Sequence, residues 1–474
     1  MRKSRFFIWS MLAIVCIGLG SVTIPHVIKK EQPSKSSFQL IDEAYDTIEQ
    51  HTVYPVKQEE LIEGAMRGMV DVIPDPYSTY YTATEAAAHR ESLAGERVGI
   101  GAEITKVGGK FIVVAPIKGS PAEQAGLKPY DELVQVNDQS VANLSFEALV
   151  EEIRGEEGTV VTLTVYRPDS NEHHKLRVER QKMSVQTVFS KIIERKEQKI
   201  GYINITTFGE ETAEEWQQET KKLLNEKVVA LIVDVRGNPG GYLASVSQMI
   251  SSLMKEDTIF AYMEDGKGAL TPLYTEEGEL TFSTDLQQIP VIVLQDEGSA
   301  SASEVLSSAL QAHKRSYTIG TTSFGKGTVQ SSFDLSNGDE LKLSTHKWLT
   351  PEKKWIHQKG VQPDLQVEQS PIFMVQPQIV IDRYEKGEVH EDIQYVQEML
   401  KLLKYDIART DGYYDHATAK AIQAFHKQQR LDQKPTMNRV FYRALQEEIE
   451  RHTATEKNDR QLQMALDYMM KQLN

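Results

Sequence analysis

The 474 residues include 53 lysines and arginines against 68 aspartates and glutamates, a formal net charge of −15, and 40% of them are hydrophobic. A chain of this length folds as several domains. Its acidic balance argues against nucleic acid as a partner, because phosphates would repel it, and one cysteine, Cys16, excludes an internal disulfide.

Arg2, Lys3 and Arg5 precede an apolar run from Phe6 to Ile24 that Pro25 ends. The run is long enough to span a bilayer, and its basic flank predicts an N-terminus inside and the rest translocated. No clean Ala-x-Ala site follows, which favours an uncleaved single-pass anchor over a signal peptide within residues 1–30. The rest of the chain is then extracytoplasmic, or secreted if the segment is cleaved. Cys16 lies inside the run, so the exported part has no thiol.

Residues 36–95 read as helices with a break at Pro74-Asp75-Pro76-Tyr77. Leu40, Ile41, Tyr45 and Ile48 recur at helical spacing, as do Leu61, Met66, Met69 and Val70, and core packing is the default expectation for such stripes.

From 96 to 180 the signals are those of a small β domain. Val98-Gly99-Ile100-Gly101 opens a strand through Ile104; Ser120 caps a short helix with Pro121 in its first turn and Gly126 at its end; Val160 to Tyr166 alternates. This ordered series resembles a PDZ domain. The resemblance implies that the backbone of Val98, Gly99, Ile100 and Gly101 binds the terminal carboxylate of a peptide, which pairs with the strand edge.

Residues 183–367 alternate apolar strands (200–205, 228–235, 289–294, 317–319) with helical stretches (212–225, 243–254, 301–313), an α/β pattern. Gly298-Ser299-Ala300-Ser301-Ala302-Ser303-Glu304 follows one strand and opens a helix. Ser301 then lies near a helix N-terminus, where free N–H groups, that of Ala302 first, can stabilise an oxyanion. A serine needs a neighbouring base, and a lysine serves only when burial lowers its pKa. Lys326, between Gly325 and Gly327 with Phe324 nearby, has no acidic residue from Ser316 to Phe333 to pair it. Gln330 falls on the same face by the two-residue strand period, so its amide oxygen can hold the amine.

Other readings fit less well. A serine-rich turn before a helix also serves as a cap. Gly320 to Lys326 fits most of a phosphate-binding loop, but residue 327 is glycine where Ser or Thr must follow. None of His313, His346 and His357 lies in a comparable constellation. No His-Glu-x-x-His or paired-cysteine spacing is present, so no metal or other cofactor is expected.

These motifs resemble the carboxy-terminal processing proteases, the tail-specific family of Ser-Lys peptidases. The resemblance places the nucleophile on Ser301, the base on Lys326 and the supporting glutamine on Gln330, leaving Ser299 and Ser303 to capping or packing. Asp234-Val235-Arg236-Gly237-Asn238-Pro239-Gly240-Gly241 resembles the loop giving the second oxyanion donor, with Gly240 or Gly241 as that donor. It further implies an α/β (ClpP/crotonase-like) core with an inserted PDZ domain, protein substrates with exposed C-termini, and a homodimer paired through the N-terminal region and the distal C-terminal part. An empty PDZ module would hold Lys326 or Gln330 out of register, with Arg154 and Arg167 as relays. The rival reading is a catalytically silent scaffold that retains the fold; intact Ser301, Lys326 and Gln330 favour the enzyme.

Residues 388–450 carry Ile393, Val396, Leu400 and Leu403 on one helix, a turn at Asp411-Gly412-Tyr413-Tyr414, and Thr418, Ala421, Ile422 and Phe425 on a second. This resembles the helical peptidoglycan-binding domain of cell-wall enzymes, with His426 in place of a usual glutamine and Lys434-Pro435 in place of a second Asp-Gly turn. Peptidoglycan is thus a second expected partner, or the domain serves assembly alone. An amphipathic helix closes the chain within 451–474.

Overall fold

The computed structural model describes residues 37–94, 96–168, 170–184, 186–276, 278, 280–375, 378–431 and 436–473. The apolar run at 6–24, Cys16 and the Lys434-Pro435 turn lie outside the described residues. Among the described residues no helix is long and apolar enough to cross a membrane.

A first compact unit ends at Met69. It holds α1 (Ser37–His51) and most of α2 (Gln58–Asp71). Leu40, Ile41 and Ile48, expected to pack a core, are exposed instead, as are Phe38 and Met69. Two helices are too few to enclose an apolar stripe from each.

The second unit begins at Val70. A short strand β1 (Thr79–Tyr81) and helix α3 (Ala83–Ala94) lead into β2 (Glu96–Gly99). Then come β3 (Ala102–Val107), β4 (Lys110–Pro116), α4 (Pro121–Gln124), β5 (Glu132–Val136), β6 (Gln139–Ser140), α5 (Phe146–Ile153), β7 (Val160–Arg167) and β8 (Glu172–Glu179). The sheet runs β3-β4-β5-β7-β8 with β6 on β5, which leaves β3 as an edge. Phe111, Leu133, Leu149, Val161 and Leu163 fill its core. The chain returns through β9 (Gln181–Ser184), antiparallel to β2 with Gly99 opposite Gln181, so this domain hangs from a two-stranded ribbon.

Next come β10 (Val188–Arg195), β11 (Gln198–Ile205), α6 (Thr212–Asn225), β12 (Ala230–Asp234), α7 (Leu243–Leu253), β13 (Ile259–Asp265), β14 (Leu270–Tyr274), β15 (Val291–Gln295), α8 (Ala302–Ala312), β16 (Ser316–Gly320), β17 (Thr328–Asp334), β18 (Glu340–Leu349) and β19 (Leu365–Gln366). One sheet is ordered β10-β11-β12-β15-β16-β19 and is parallel from β11 onward. All five residues of β12 and of β15 are buried, because both faces are covered. Leu231, Val233, Val291 and Val293 face one core with residues of α6, α7 and α8, while Ala230, Ile232, Ile292 and Leu294 face another.

The strands β14, β13, β18, β17 and β1 form a second, antiparallel sheet absent from the sequence expectations. Its ladder pairs Thr79 with Lys342, a separation that no local pattern announces.

Helices α9 (Glu391–Leu402), α10 (His416–Gln428) and α11 (Arg439–Ala454) enclose Ile393, Val396, Ile422, Phe425 and Phe441. His426 is buried there and stacks on Phe441. The last helix, α12 (Arg460–Leu473), crosses to the protease core and covers the second face of the parallel sheet with Leu462, Leu466 and Met469.

Candidate active site

The buried strand β15 delivers the chain to a turn at 296–300 and then to α8. Ser301 sits at the N-cap of α8 with φ 54° and ψ −113°, a left-handed conformation for an L residue. Such backbone costs about 1–3 kcal/mol and persists only where its surroundings over-determine it. Here they do. The Ser301 N–H donates to Glu304 Oε2 (2.8 Å), the Ala300 N–H to the Asn238 carbonyl (2.9 Å), Ser299 Oγ to the Val235 carbonyl (2.8 Å) and Ser303 Oγ to the Asn238 carbonyl (3.0 Å). The two flanking serines brace the turn from both sides.

The same contacts bring the Asp234–Gly241 loop against Ser301. A Cβ on Gly240, whose φ is +100°, would lie 2.8 Å from the Ser301 Cβ and 3.0 Å from the Ala302 nitrogen. Only glycine lets the two loops meet this closely. Of the two glycines, Gly240 already donates its N–H to Asn238 Oδ1 (2.8 Å). The N–H groups of Gly241 and Ala302 have no protein acceptor among the described residues.

Lys326 precedes β17 and is half-buried. Its backbone N–H donates to Glu304 Oε2 (2.8 Å), and its carbonyl accepts from Trp348 Nε1 (2.8 Å). The amine lies 4.8 Å over the Tyr77 ring, and no carboxylate pairs with it among the described residues. Burial, and then the charge of Lys342, push its pKa below the usual lysine range, while Asp75 and Glu304 pull it back in part. The ring face favours the protonated amine by about 0.5–1 kcal/mol, so it too opposes deprotonation. Phe324, nearby in the sequence, is 54% exposed; the lysine meets Tyr77 and Trp348 instead.

Gln330 lines the same cavity, but simple strand alternation does not put it there. The β17–β18 register shifts between Val329 and Gln330, so that Gln330 faces Ser344 while Val329 faces His346. The Gln330 amide nitrogen donates to Thr328 Oγ1 (3.0 Å) and Ser344 Oγ (2.9 Å). The hydrogen bond expected from the Lys326 amine to Gln330 is not formed.

One cavity, of about 420 Å³, is lined by Ser301, Ala302, Lys326, Gln330, Gly240 and Gly241. Its apolar wall comes from Leu243, Ala261, Leu273, Val305, Val329 and Trp348. His313, His346 and His357 do not line it: they contact the Ile259 carbonyl, Thr345 Oγ1 and the Gly327 N–H.

Glu304 was not singled out from the sequence. Buried completely, it accepts from the Ser301, Gly325 and Lys326 N–H groups and from Ser323 Oγ. Burial pushes its carboxyl up, against these four bonds. The Ser-x-x-Glu spacing of a capping box could have found it. Tyr77 and Asp75 come from the Pro-rich break before β1, where Asp75 accepts from Ser78 Oγ (2.6 Å) and Ser78 Oγ accepts from the Ser344 N–H (3.0 Å). No local pattern links that break to Lys326.

In the inserted domain Val98 and Gly99 belong to the paired strand β2, so the loop narrows to Ile100 and Gly101. Their carbonyls accept from the Ala122 N–H and from Ser120 Oγ, and their N–H groups have no acceptor among the described residues. Gly101 has φ +74°, and a Cβ there would lie 2.3 Å from the Ser120 Cβ. Arg167 donates to both Asp131 carboxylate oxygens (2.8 and 2.7 Å) and to the Gly126 carbonyl (2.8 Å), and Arg154 is the C-cap of α5.

Residues 199–367 match peptidase family S41, 112–167 a PDZ domain, 21–85 the N-terminal domain of the activating protease CtpB and 389–433 a putative peptidoglycan binding domain. The carboxy-terminal processing protease CtpB of Bacillus subtilis (strain 168) is 35% identical over 446 residues, which cover 94% of this chain and 92% of that protein. The chain belongs to the carboxy-terminal processing proteases of peptidase family S41. CtpA of the same organism is 31% identical, over 94% of this chain and 93% of that protein. Among solved structures, the photosystem II D1 C-terminal processing protease is 26% identical, covering 70% of this chain and 94% of that one, with a TM-score of 0.44. As an S41 peptidase the chain is a serine-type protease that carries a PDZ domain and a helical peptidoglycan-binding-like domain.

Proposed function

We propose that this peptidase captures the free C-terminus of a protein substrate in its PDZ domain and cleaves the chain by a Ser301–Lys326 dyad. One observation carries the reading: a single cavity gathers Ser301, the unpaired Lys326 amine and the Ala302 and Gly241 backbone. In its neutral form, which burial favours, Lys326 takes the Ser301 proton as Oγ adds to the scissile carbonyl. The N–H groups of Ala302 and Gly241 stabilise the oxyanion, an effect worth about 10²–10³ in rate per donor. As the intermediate collapses, the lysine returns the proton to the leaving amine. Water then releases the acyl group by the same steps.

The edge strand β3 and the free N–H groups of Ile100 and Gly101 support tail capture by strand addition. Gln330, its amide nitrogen turned to Thr328 and Ser344, supports a gate, in which a bound tail swings the side chain so that its amide oxygen reaches Lys326, with Arg154 and Arg167 as relays. The basic and apolar N-terminus supports a single-pass membrane anchor with the peptidase outside, processing a membrane or extracytoplasmic signalling protein. Exposed Leu40, Ile41 and Ile48 support pairing of two copies, and the peptidoglycan-binding-like domain supports contact with the wall.

The test is cleavage of an unfolded protein bearing an apolar C-terminal tail. Activity in the parent that is lost in both Ser301→Ala and Lys326→Ala supports the dyad. Activity that survives Lys326→Ala sinks it.

A further inference from the structure

The helix α12 does more than cover the parallel sheet. Just ahead of it, Asp459 is buried and accepts from Arg236 Nη1 (3.0 Å) and Nη2 (2.8 Å), while Gln461 Oε1 accepts from Nη1 (3.0 Å). The opposite edge of the same guanidinium is held by Asp234, which accepts from Nε over 2.9 and 3.0 Å. Asp459 is itself fixed, by Gln369 Nε2 (2.7 Å) and by the Leu462 N–H (2.9 Å).

Charge balance alone needs only one of these carboxylates. A planar fork gripped on both edges, however, keeps its charge and loses its rotation. Arg236 lies at the root of the loop that ends at Gly241. Its neighbour Gly237 donates to Asp296 Oδ1 (2.8 Å), and Asn238 holds Gly240 through Oδ1 and the Ser301 turn through its carbonyl. A shift at Arg236 therefore reaches the donor side and the nucleophile side of the cavity together.

We infer that Asp459 and Arg236 are positioning residues for peptide hydrolysis: the C-terminal segment sets the loop that presents the Gly241 N–H to the oxyanion. This rests on the assignment of Ser301 and Gly241 proposed above.

The full chain is compared with Asp459→Ala, Asp459→Glu and Leu466→Ala, the last weakening α12 on the sheet without touching Arg236. Each is assayed well below its melting temperature for kcat and KM. Each is also titrated with a peptide aldehyde, which becomes an oxyanion on Ser301, and with the unreactive alcohol of the same sequence. The expected result for Asp459→Ala is a kcat at least tenfold lower with KM within twofold, aldehyde affinity reduced at least tenfold and alcohol affinity unchanged. Asp459→Glu recovers part of each loss, and Leu466→Ala lowers only the melting temperature. Equal losses in Leu466→Ala and Asp459→Ala, or an unchanged aldehyde affinity in Asp459→Ala, overturn the inference. A parent no more active than Ser301→Ala would refute the underlying assignment instead, and is read before any Asp459 variant.

Discussion

The backbone N–H groups of Ser301 and Lys326 donate, each over 2.8 Å, to the same carboxylate oxygen of Glu304. Ser301 and Lys326 are thereby joined through one buried atom, although 24 residues of chain separate them. Glu304→Gln keeps the shape but can turn an NH₂ toward these donors. Leaving buried N–H groups unmatched costs about 1–3 kcal/mol. The expected outcome is a melting temperature a few degrees lower and kcat at least tenfold lower with little change in KM, measured by calorimetry and steady-state kinetics.

Lys342 and His89 line the same cavity, with Lys342 Nζ 3.1 Å from His89 Nε2. As a like charge, Lys342 lowers the Lys326 pKa, second only to burial. Lys342→Met should raise it, so the acidic limb of the kcat/KM profile moves to higher pH and activity at neutral pH falls. Raising the pH should restore the rate. A profile that keeps its acidic limb in place would remove Lys342 from this role.

The depressed Lys326 pKa also predicts a stability effect. Its folded value lies below the unfolded one, so the unfolded chain binds more protons between the two and stability rises with pH in that window. The cost is fully present below the folded pKa and gone above the unfolded value near about 10.4. Lys326→Met should therefore abolish activity yet raise the melting temperature at pH 6, with the gain fading toward pH 10. Thermal melts across that range check it.

Gly241 has φ +146°, and a Cβ there would lie 2.1 Å from the Phe208 carbonyl oxygen. Gly241→Ala must displace the segment that carries the free N–H. A loss of about 10²–10³ in kcat is expected, as for removal of one oxyanion donor, with tail-peptide binding to the PDZ domain unchanged by calorimetry.

Gly101→Val places a branched side chain against Ser120 at a positive φ. It should raise KM for a tail-bearing protein at least tenfold while leaving cleavage of a short peptide without a recognised tail as in the parent.

By itself the sequence determined the local elements and the chemistry they offer. The parallel strands were legible because burial on both faces makes them continuous apolar runs. Helix α6 begins at Thr212 and ends at Asn225, as its pattern indicates. The Ser301 turn and the glycines at 240 and 241 were legible because a strand-to-helix elbow and a close backbone approach each demand particular residues. Tertiary structure alone decided what those residues meet. The antiparallel sheet, the register shift at Gln330, the Tyr77 ring over Lys326 and the grip of Asp459 on Arg236 all join residues far apart in the chain. Such contacts leave no local period, since each depends on how packed layers bring distant segments together, and the electrostatics of Lys326 are set there.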